Sequence, residues 1–447
     1  MDKYLSYLRA KLRGKVDFVA TDDLIAHPEG LVAKKGDLVD TETYLHLSHF
    51  SLHAPLDSSI KIAEPLTHSS IYNEIGALVS KDRPLNEIDE NFGKASLLDQ
   101  CCDSLKKYPE LLEILTIFKI ETKELYLQSL TSAYLAYILG TVAKYSQAKI
   151  ESAFLAGLLH DIGLLFIPRN CLDKNKKLNA QEWKEIQLHP IIAFKLLKDV
   201  GEFSVTSRKA ILDHHERPDG SGYPMNKEED DISELGSLIS LLDDVISIYN
   251  KQFKPLKRTI KNLLPIIQMN TFGYHQSAVT AMTIVLRQSK DQKVEDIDKD
   301  IVKDLINYTY QQQLYINKIM DVINQVNEII GFSHNSKEVT HIQNISGKIS
   351  SIIASSGLQE SSYIELLQRL TVEDHQTLHL EVEETRLMLE EIIYQLHSYH
   401  KAANLFSTNF SNGLSEKVSM FTDIFSATER PPTPETLLQY WEKLVSK

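Results

Sequence analysis

The residues best suited to chemistry lie in one apolar stretch near the middle of the chain, Ala156 to Pro168, which contains the adjacent pair His160 and Asp161. A charged pair inside such a run is costly to bury unless something compensates it. A divalent transition ion provides that compensation, because imidazole and carboxylate groups are both ligands for such ions. The sequence therefore predicts a metal site around this pair, at a helix end that Gly163 is expected to help terminate.

Further ligands of the right types follow along the chain. His189 precedes Pro190, a favoured first residue of a helix, so its ring is expected at a helix start. His214 and His215 stand together before a glycine-containing loop. Each histidine alone would be an ordinary core or surface residue, but in one helical region together with Asp161 they form a predicted metal cluster. Adjacent residues on a helix point about 100° apart, so His160 and Asp161 can serve different ions or flank one ion. A carboxylate can bridge two ions, and Asp161 is the natural bridge.

Two neighbouring aspartates compete for a place in this cluster. Asp243 shares a helix face with Ile239 and Ile246, whereas Asp244 has serines at the same offsets. The acid on the apolar face is the one that needs a partner. We therefore choose Asp243 as a further ligand.

Size and charge restrict the function classes. A chain of 447 residues is too long for one ordinary core, so two to four domains are expected. The formal net charge of −13 argues against nucleic-acid polymers and anionic membranes as general partners. A small phosphate ligand remains compatible, because it needs only a local positive site such as a metal pair.

Several features predict a cytoplasmic protein. The three cysteines form neither a metal-ligand spacing nor a disulfide framework, which fits a reducing compartment. The amino terminus lacks the features of a signal peptide. The longest apolar run, about Leu130 to Ala143, is too short to span a bilayer.

The periodicity of the chain predicts a mainly α fold. Residues 1–60 are expected to be irregular, with a strand pair or a strand and turn near Gly30–Val39 and a short helix after it. Helical periodicity dominates from about Ser70, and no alternating run indicates a sheet between Glu121 and Leu286. We therefore expect an all-helical core with a small irregular, β-containing N-terminal module and a helical C-terminal region.

Long amphipathic helices are predicted after a charged stretch at Lys290–Lys303. The stripe along Ile301–Ile330 is expected to pack against another helix, of this chain or of a dimer partner. Ser407–Pro434 is expected to be rich in loops, before a last short helix. The predicted domains are an N-terminal module (1–60), a helical connecting region (61–118), a helical domain with the metal cluster (119–289) and a C-terminal regulatory or interaction region (290–447).

Taken in order, these residues resemble a known family. The matching positions are His160-Asp161-x-Gly163, Ile167-Pro168, Leu172, Lys174, Leu178, Glu182, His189-Pro190, His214-His215-Glu216 and Asp219-Gly220-Ser221-Gly222-Tyr223-Pro224. They resemble the HD-GYP branch of the HD-domain phosphohydrolases, over about Glu121 to Leu286. The order, the spacing and the Gly-Tyr-Pro signature are together highly specific.

The resemblance implies an all-helical fold with two or three divalent metal ions, often iron or manganese. It implies hydrolysis of the bacterial second messenger cyclic di-GMP to linear pGpG or GMP, with Asp161 as the catalytic residue. The residues that it implies as metal ligands are His160, Asp161, His189, His214, His215, Asp243 and Glu124. Glu124 matches an upstream glutamate that ligates a third ion in some members.

Physical chemistry agrees with that implication. Two ions about 3.5–4 Å apart can hold a bridging hydroxide for in-line attack on a phosphodiester. The glycines Gly220 and Gly222 in the loop from Asp219 to Pro224 allow a ligand close approach to the backbone. Tyr223 either contacts the base or phosphate or packs the loop against the helices, two readings of equal weight.

Three departures from the family pattern bear on turnover. Leu164 stands where the family has a lysine that contacts substrate phosphate, and Gln128 stands where an upstream ligand histidine is expected. The arginine-containing segment after Asp243 reads Tyr249–Pro255 with Gln252, where Lys251 or Lys254 could substitute. Metal binding is thus predicted more firmly than turnover.

Three hypotheses follow. The leading one is a phosphodiesterase for cyclic di-GMP or a related cyclic dinucleotide, with flanking regions that regulate it or recruit a signalling partner. The second is a metal-bearing signalling protein that binds the nucleotide or a partner with little or no turnover. The third is a phosphohydrolase for a different nucleotide.

Restoring the lysine separates these hypotheses. A lost charge-assisted hydrogen bond costs about 1.5–3 kcal/mol, which corresponds to about ten- to hundredfold in rate. We expect Leu164→Lys to raise cyclic di-GMP turnover by that factor if the natural protein is a weakened family member. An unchanged rate, measured by product chromatography, would point to another substrate or role.

Overall fold

The computed structural model describes residues 1–173, 179–254, 260–288, 298–331, 337–356, 358, 375–409 and 413–446. The motif residues Lys174 and Leu178, and Pro255 after the metal cluster, lie outside these ranges. The chain divides into two compact units, Met1–Ile246 and Ser247–Lys447. The four-part division expected from the sequence stays a prediction. Within the described ranges, no helix combines the length and the apolarity needed to cross a membrane.

The N-terminal module contains two small antiparallel sheets. One sheet has the order β4-β1-β6 and the other the order β3-β2-β5. Phe18 is paired with Val39 on one side and with Ile62 on the other. The strands are β1 Phe18–Ala20, β2 Leu24–His27, β3 Gly30–Ala33, β4 Leu38–Val39, β5 Ser51–Leu52 and β6 Ile60–Ile62.

The first unit is otherwise helical. Its helices are α1 Asp2–Lys11, α2 Thr41–Leu47, α3 His68–Lys81, α4 Arg83–Phe92, α5 Ala95–Asp103, α6 Pro109–Glu121, α7 Lys123–Val142, α8 Gln147–Leu159, α9 Ala180–Ile186, α10 His189–Lys198, α11 Val205–Asp213 and α12 Glu234–Ile248. Short 3₁₀ turns cover Leu56–Ser58, Ser104–Lys107, Ile162–Phe166, Arg169–Cys171 and Glu229–Asp231. The strand, turn and short helix expected around residues 30–50 are present as β3, β4 and α2.

Helix α1 corrects the expectation that residues 1–60 are irregular. Leu5, Leu8 and Leu12 recur at helical spacing, and all three are buried. The helix also contacts the segment that follows the His160–Asp161 pair. The ring of Tyr7 stacks on Phe166 at 5.5 Å, so α1 supports the 3₁₀ turn Ile162–Phe166 that begins immediately after the pair.

A buried ion pair ties α1 to α6. Nε of Arg9 lies 2.8 Å from Oε1 of Glu113, and Nη2 lies 2.8 Å from Oε2. Both side chains are 8% exposed. The same carboxylate accepts the backbone N–H of Ile62 at 3.1 Å. One charged pair therefore joins the first helix, the last strand and the helical core.

The second unit is a bundle of long helices. Its helices are α13 Leu264–Met269, α14 Gln276–Arg287, α15 Lys299–Ile330, α16 Lys337–Ser356, α17 His375–Asn409, α18 Gly413–Ala427 and α19 Glu435–Ser446. It also contains a π-helical turn at Tyr249–Phe253 and 3₁₀ turns at Ile260–Leu263 and Thr271–Gly273.

The apolar stripe predicted on α15 packs inside this unit. Ile316, Ile319, Ile323, Val326 and Ile330 are spaced by three and four residues, and all are buried in one core with residues of α16, α17 and α18. The expectation that the stripe packs against other helices is confirmed, and the partners that bury it belong to this chain.

Helix α18 corrects the expectation that Ser407–Pro434 is rich in loops. Val418, Phe421 and Phe425 are spaced three and four residues apart and are buried. Their period is obscured in the sequence by intervening serines and threonines, which are weak helix formers and common in loops. Burial of this stripe supplies the stability that local propensity lacks.

The Arg9–Glu113 pair yields a stability prediction. Glu113→Ala leaves the guanidinium of Arg9 buried without its carboxylate, which should lower the free energy of unfolding by about 3–5 kcal/mol. Urea unfolding followed by circular dichroism measures this change. Lys106→Ala is the control, because Lys106 and its partner Asp103 are both exposed and their pair should contribute less than about 1 kcal/mol. Equal effects of the two substitutions would contradict a dominant role for the buried pair.

Candidate metal centre

Three helices bring predicted ligands together by their ends, and a fourth contributes one from its middle. His160 follows the last residue of α8, His189 is the first residue of α10, and His214 follows the last residue of α11. Asp243 projects from the middle of α12. The three histidines are almost fully buried, and Asp161 is 8% exposed. Of the predicted ligands, Asp161, His189, His214 and His215 form one group in the first unit, and His160 and Asp243 lie beside it.

The backbone fixes the orientation of three of these imidazoles. In each ring, Nδ1–H donates to the carbonyl three residues earlier in the chain, at 2.8 Å in His160, 2.7 Å in His189 and 2.6 Å in His214. A carbonyl oxygen only accepts, so the proton of each neutral ring is on Nδ1. Nε2 of each ring is left with a lone pair, as in a metal-ligating histidine whose other nitrogen is hydrogen-bonded.

The carboxylate of Asp161 lies between two groups of ligand atoms. Its Oδ1 is 3.4 Å from Nε2 of His189, and its Oδ2 is 3.5 Å from Nε2 of His160. Nε2 of His160 is also 4.0 Å from Oδ1 of Asp243. The two oxygens of one carboxylate thus face different histidines, the arrangement expected of a bridging ligand.

Four residues are close enough to share one ion. Asp161, His189, His214 and His215 each offer a ligand atom within 4.8 Å of the others. Within the described part of the chain, no second group of at least three histidine, cysteine or carboxylate ligands meets this criterion. The centre of the predicted cluster is therefore a histidine and aspartate group that could hold a metal ion.

The charge state of the histidines fits a metal. Burial lowers the pKa of His189, and it lowers the pKa values of His214 and His215 well below the ordinary range, with neighbouring histidines acting in the same direction. Nε2 of His189 nevertheless lies 3.2 Å from Nε2 of His214. Two neutral rings with Nδ1 protonated present lone pairs to each other there, so a cation is the group that satisfies both nitrogens.

The two adjacent aspartates of α12 have different partners. Asp244 accepts a hydrogen bond from Nη2 of Arg217 at 2.8 Å, and Arg217 also donates to the hydroxyl of Ser240. Asp243 instead faces His160. Desolvation, and secondly the carboxylate of Asp161, raise the pKa of Asp243 to about 7. Asp243 is thus the one of the two acids that faces His160, and its role as a metal ligand stays a prediction.

Gly163 has a different role from the one the sequence suggested. It lies inside the 3₁₀ turn Ile162–Phe166, and helix α8 ends before it, at Leu159. A Cβ at Gly163 would lie 2.1 Å from the carbonyl oxygen of His189. The glycine therefore lets two backbones approach closely, which brings the first residue of α10 beside Asp161.

The loop that contains Gly222-Tyr223-Pro224 packs against the chain that follows His215. A Cβ at Gly222 would lie 2.3 Å from the backbone nitrogen of Arg217, so the loop folds back on the chain after His215 only because residue 222 has no side chain. The buried carboxylate of Glu216 accepts the backbone N–H groups of Met225 at 2.6 Å and Lys227 at 2.8 Å. The loop is thereby held in one conformation.

Tyr223 contacts the histidines directly. Its backbone N–H donates to the carbonyl of His215 at 3.0 Å, and the two rings stack with centroids 4.6 Å apart. Burial, and secondly the carboxylate of Asp243, raise the pKa of the phenol, so Tyr223 remains neutral. These contacts account for the packing reading of Tyr223, while its possible contact with a ligand stays a prediction.

The remaining loop residues stabilise the turn itself. Oδ1 of Asp219 accepts the backbone N–H of Ser221 at 2.9 Å and its hydroxyl at 2.5 Å. Gly220 has φ of +71°, a left-handed conformation that favours glycine. The Tyr223–Pro224 bond is cis. Direct contacts of these residues with a substrate stay predictions.

Leu164 lies in an apolar cluster, whereas Glu124 and Gln128 lie on helix α7. Leu164 is 7% exposed and belongs to an apolar cluster with Ile167 and Cys171. Glu124 is exposed in the first turn of α7, and Gln128 is partly buried one turn later. Among the described residues, Glu124 is not in the four-residue group around Asp161. Its role as a ligand stays a prediction.

Lys251 and Gln252 belong to the π-helical turn Tyr249–Phe253 in the second unit. The side chain of Lys251 is exposed. Its predicted contact with substrate phosphate stays a prediction.

Two residues near the cluster were not identified by sequence reasoning. Arg217 pairs with Asp244, and Trp183 on α9 lies edge-on to Tyr223 with ring centroids 6.0 Å apart. Arg217 stands next to the quoted motif, so its position was a usable signal. Trp183 gave no such signal, because its contact joins residues forty positions apart.

Comparison with known proteins identifies this region. Residues 111–271 match the family model described as HD domain. A cyclic di-GMP phosphodiesterase of Pseudomonas aeruginosa is 28% identical over 193 residues, 42% of this chain and 47% of that protein. A 3'3'-cGAMP-specific phosphodiesterase of Vibrio cholerae is 39% identical over 88 residues, 20% of this chain and 19% of that protein. The match to the HD-domain model over residues 111–271 agrees with the resemblance that the sequence motif predicts.

A solved structure described as an HDG"Y"P protein from Bdellovibrio bacteriovorus aligns with 49% of this chain and 71% of its own, with a TM-score of 0.33 and 17% identity. The chain spans about half the length of the Pseudomonas relative and a smaller share of the Vibrio relative.

The adjacent aspartates of α12 permit a matched test of the cluster. We expect Asp243→Asn to lower the affinity for manganese or iron at least about tenfold, because a neutral amide replaces a carboxylate directed at His160. Asp244→Asn should retain the metal, because Asp244 pairs with Arg217 instead. Metal content per chain after loading and desalting, measured by elemental mass spectrometry, distinguishes the two variants. Equal metal loss in both would contradict the choice of Asp243.

Proposed function

We propose that this protein is a metal-dependent phosphodiesterase that hydrolyses cyclic di-GMP or a related cyclic dinucleotide. The observation that carries the proposal is the convergence of unprotonated Nε2 atoms on Asp161, with those of His189 and His214 only 3.2 Å apart. The names of the Pseudomonas and Vibrio relatives support a cyclic dinucleotide as the substrate.

The donor set fits a site for two ions. Asp161, His189, His214 and His215 would hold one ion, and His160 and Asp243 beside them would hold a second. Mixed histidine and carboxylate ligands suit iron or manganese. Glu124 is the proposed ligand of a third ion. Bound divalent ions would supply Lewis acidity, lowering the pKa of a water nucleophile and offsetting the charge that develops on the phosphodiester.

Residues of the chain are proposed to position both the metal ions and the substrate. The backbone carbonyls that accept from Nδ1–H hold each of the three imidazoles in the tautomer that metal coordination requires. No proton must therefore leave Nε2 before a metal ion binds. Asp161 is the proposed catalytic residue, because both of its oxygens face histidine nitrogens. Gly220 leaves the loop backbone open to a phosphate, whereas Gly222 packs against Arg217. Asp219, Gly222, Tyr223 and Pro224 are proposed to hold the loop in the shape that contacts the substrate. Lys251 is a proposed phosphate contact.

A second candidate function rests on Leu164. Its side chain packs with Ile167 and Cys171, and it supplies no cation to the substrate phosphate. That arrangement favours a signalling protein that binds the nucleotide with little turnover. Leu164→Met is the matched control for Leu164→Lys, because it conserves the volume of this cluster and adds no charge.

Several finer assignments follow from the proposal. The substrate range includes 3'3'-cGAMP, because two Vibrio relatives are named for that nucleotide. We also propose a cytoplasmic location, which suits an enzyme that acts on a second messenger. We further propose that the C-terminal helices bind either a signalling partner or a second copy of the chain. Binding of a second copy would make the protein a homodimer.

One incubation tests the proposal. Protein purified without oxygen and loaded with iron or manganese is mixed with cyclic di-GMP, and the products are separated by chromatography. We expect pGpG or GMP to appear, and Asp161→Ala to lower the rate by at least about a hundredfold, because it removes the bridging ligand. Intact cyclic di-GMP after incubation with fully loaded protein would reject the phosphodiesterase and favour the binding protein.

A further inference from the structure

Trp183 is an exposed aromatic residue close to the metal centre. Its side chain is 45% exposed, although tryptophan is on average a largely buried residue. Its ring lies edge-on to Tyr223, with centroids 6.0 Å apart and an interplanar angle of 76°. An open indole surface therefore stands beside the loop that contacts the histidines.

The helix that carries Trp183 is short but well capped. The side-chain oxygen of Asn179 accepts the backbone N–H groups of Gln181 and Glu182, both at 2.9 Å. The carboxylate of Glu182 accepts the backbone N–H of Asn179 at 3.1 Å. This reciprocal capping box stabilises the first turn of α9, so Trp183 is presented from an ordered element.

The rings form a series that leads away from the ligands. The imidazole of His215 stacks on Tyr223 at 4.6 Å with an interplanar angle of 27°, and Trp183 follows at the edge of Tyr223. His215 therefore occupies a face of the Tyr223 ring. The indole at the outer end of the series keeps an exposed surface that a planar group can cover.

We propose that Trp183 stacks on a purine base of the nucleotide substrate while the phosphodiester of that nucleotide lies at the metal ligands. This proposal rests on the proposed function. Stacking on an aromatic side chain tolerates different bases, because every base has a π face. Guanine and adenine would both bind, so Trp183 strengthens binding of cyclic di-GMP and of 3'3'-cGAMP alike. Its contribution to affinity is expected to be about five- to hundredfold.

The tryptophan content of the chain allows binding to be observed without turnover. There are two tryptophans. Trp441 in the second unit donates its Nε1–H to Glu383 at 3.1 Å. Cζ of Arg386 lies over the Trp441 ring, 4.7 Å from the ring centroid. Trp441 is thus engaged within its own unit, and Trp441→Phe is the matched control for Trp183→Phe.

The experiment is a fluorescence titration of full-length, manganese-loaded protein with the slowly hydrolysed bisphosphorothioate analogue of cyclic di-GMP. We expect tryptophan fluorescence to be quenched in the natural protein and in Trp441→Phe, and the quenching to be lost in Trp183→Phe. No quenching in the natural protein, or quenching that persists in Trp183→Phe, would overturn the proposal.

Kinetics separate stacking from a structural role. In Trp183→Ala, we expect kcat/KM for cyclic di-GMP to fall five- to hundredfold relative to kcat/KM for bis(p-nitrophenyl) phosphate, a phosphodiester without a base, mainly through KM. An equal fall for both substrates would show that Trp183 only supports the loop, and would overturn stacking. Quenching that depends on Trp183 without turnover would reject the phosphodiesterase but retain the stacking proposal.

Discussion

The centre of this protein depends on three hydrogen bonds between imidazoles and backbone carbonyls at helix ends. Each bond joins Nδ1–H of a histidine to the carbonyl three residues earlier, so helix geometry sets the tautomer and the direction of the ring. Burial keeps His189 and His214 neutral, and their Nε2 lone pairs meet beside Asp161. Helices α8, α10 and α11 thus form a site in which a cation is the natural partner.

Close backbone contacts bring these helix ends together. The absence of a side chain at Gly163 lets α10 approach the turn after Asp161, and the absence of one at Gly222 lets the loop fold back behind His215. Helix α1 packs on the same turn through Tyr7 and Phe166. Helix α1 of the N-terminal module therefore contacts the segment that follows the His160–Asp161 pair, within one compact unit.

The proposed chemistry suits an acidic chain, because bound ions and nearby side chains, and not a basic surface, would attract phosphate. The pattern at the site is uneven. Histidines and a carboxylate form a group that could hold a metal ion, whereas Leu164 contributes apolar packing with Ile167 and Cys171. If Trp183 stacks on a base, part of the binding strength comes from an aromatic surface. Such a balance would favour affinity over rate.

The sequence by itself determined the helical class, because this depends on local periodicity. It also selected the ligand types and Asp243 from the cost of burying a charge, and these selections stay predictions. It did not determine that α1 is a helix or that residues 413–427 form α18. The helical signal in these segments is weak, and burial of their apolar residues in a core stabilises the helices. Only the tertiary structure brought Trp183 beside Tyr223 and assigned Gly163 to close packing, because contacts between distant segments leave no period in the sequence.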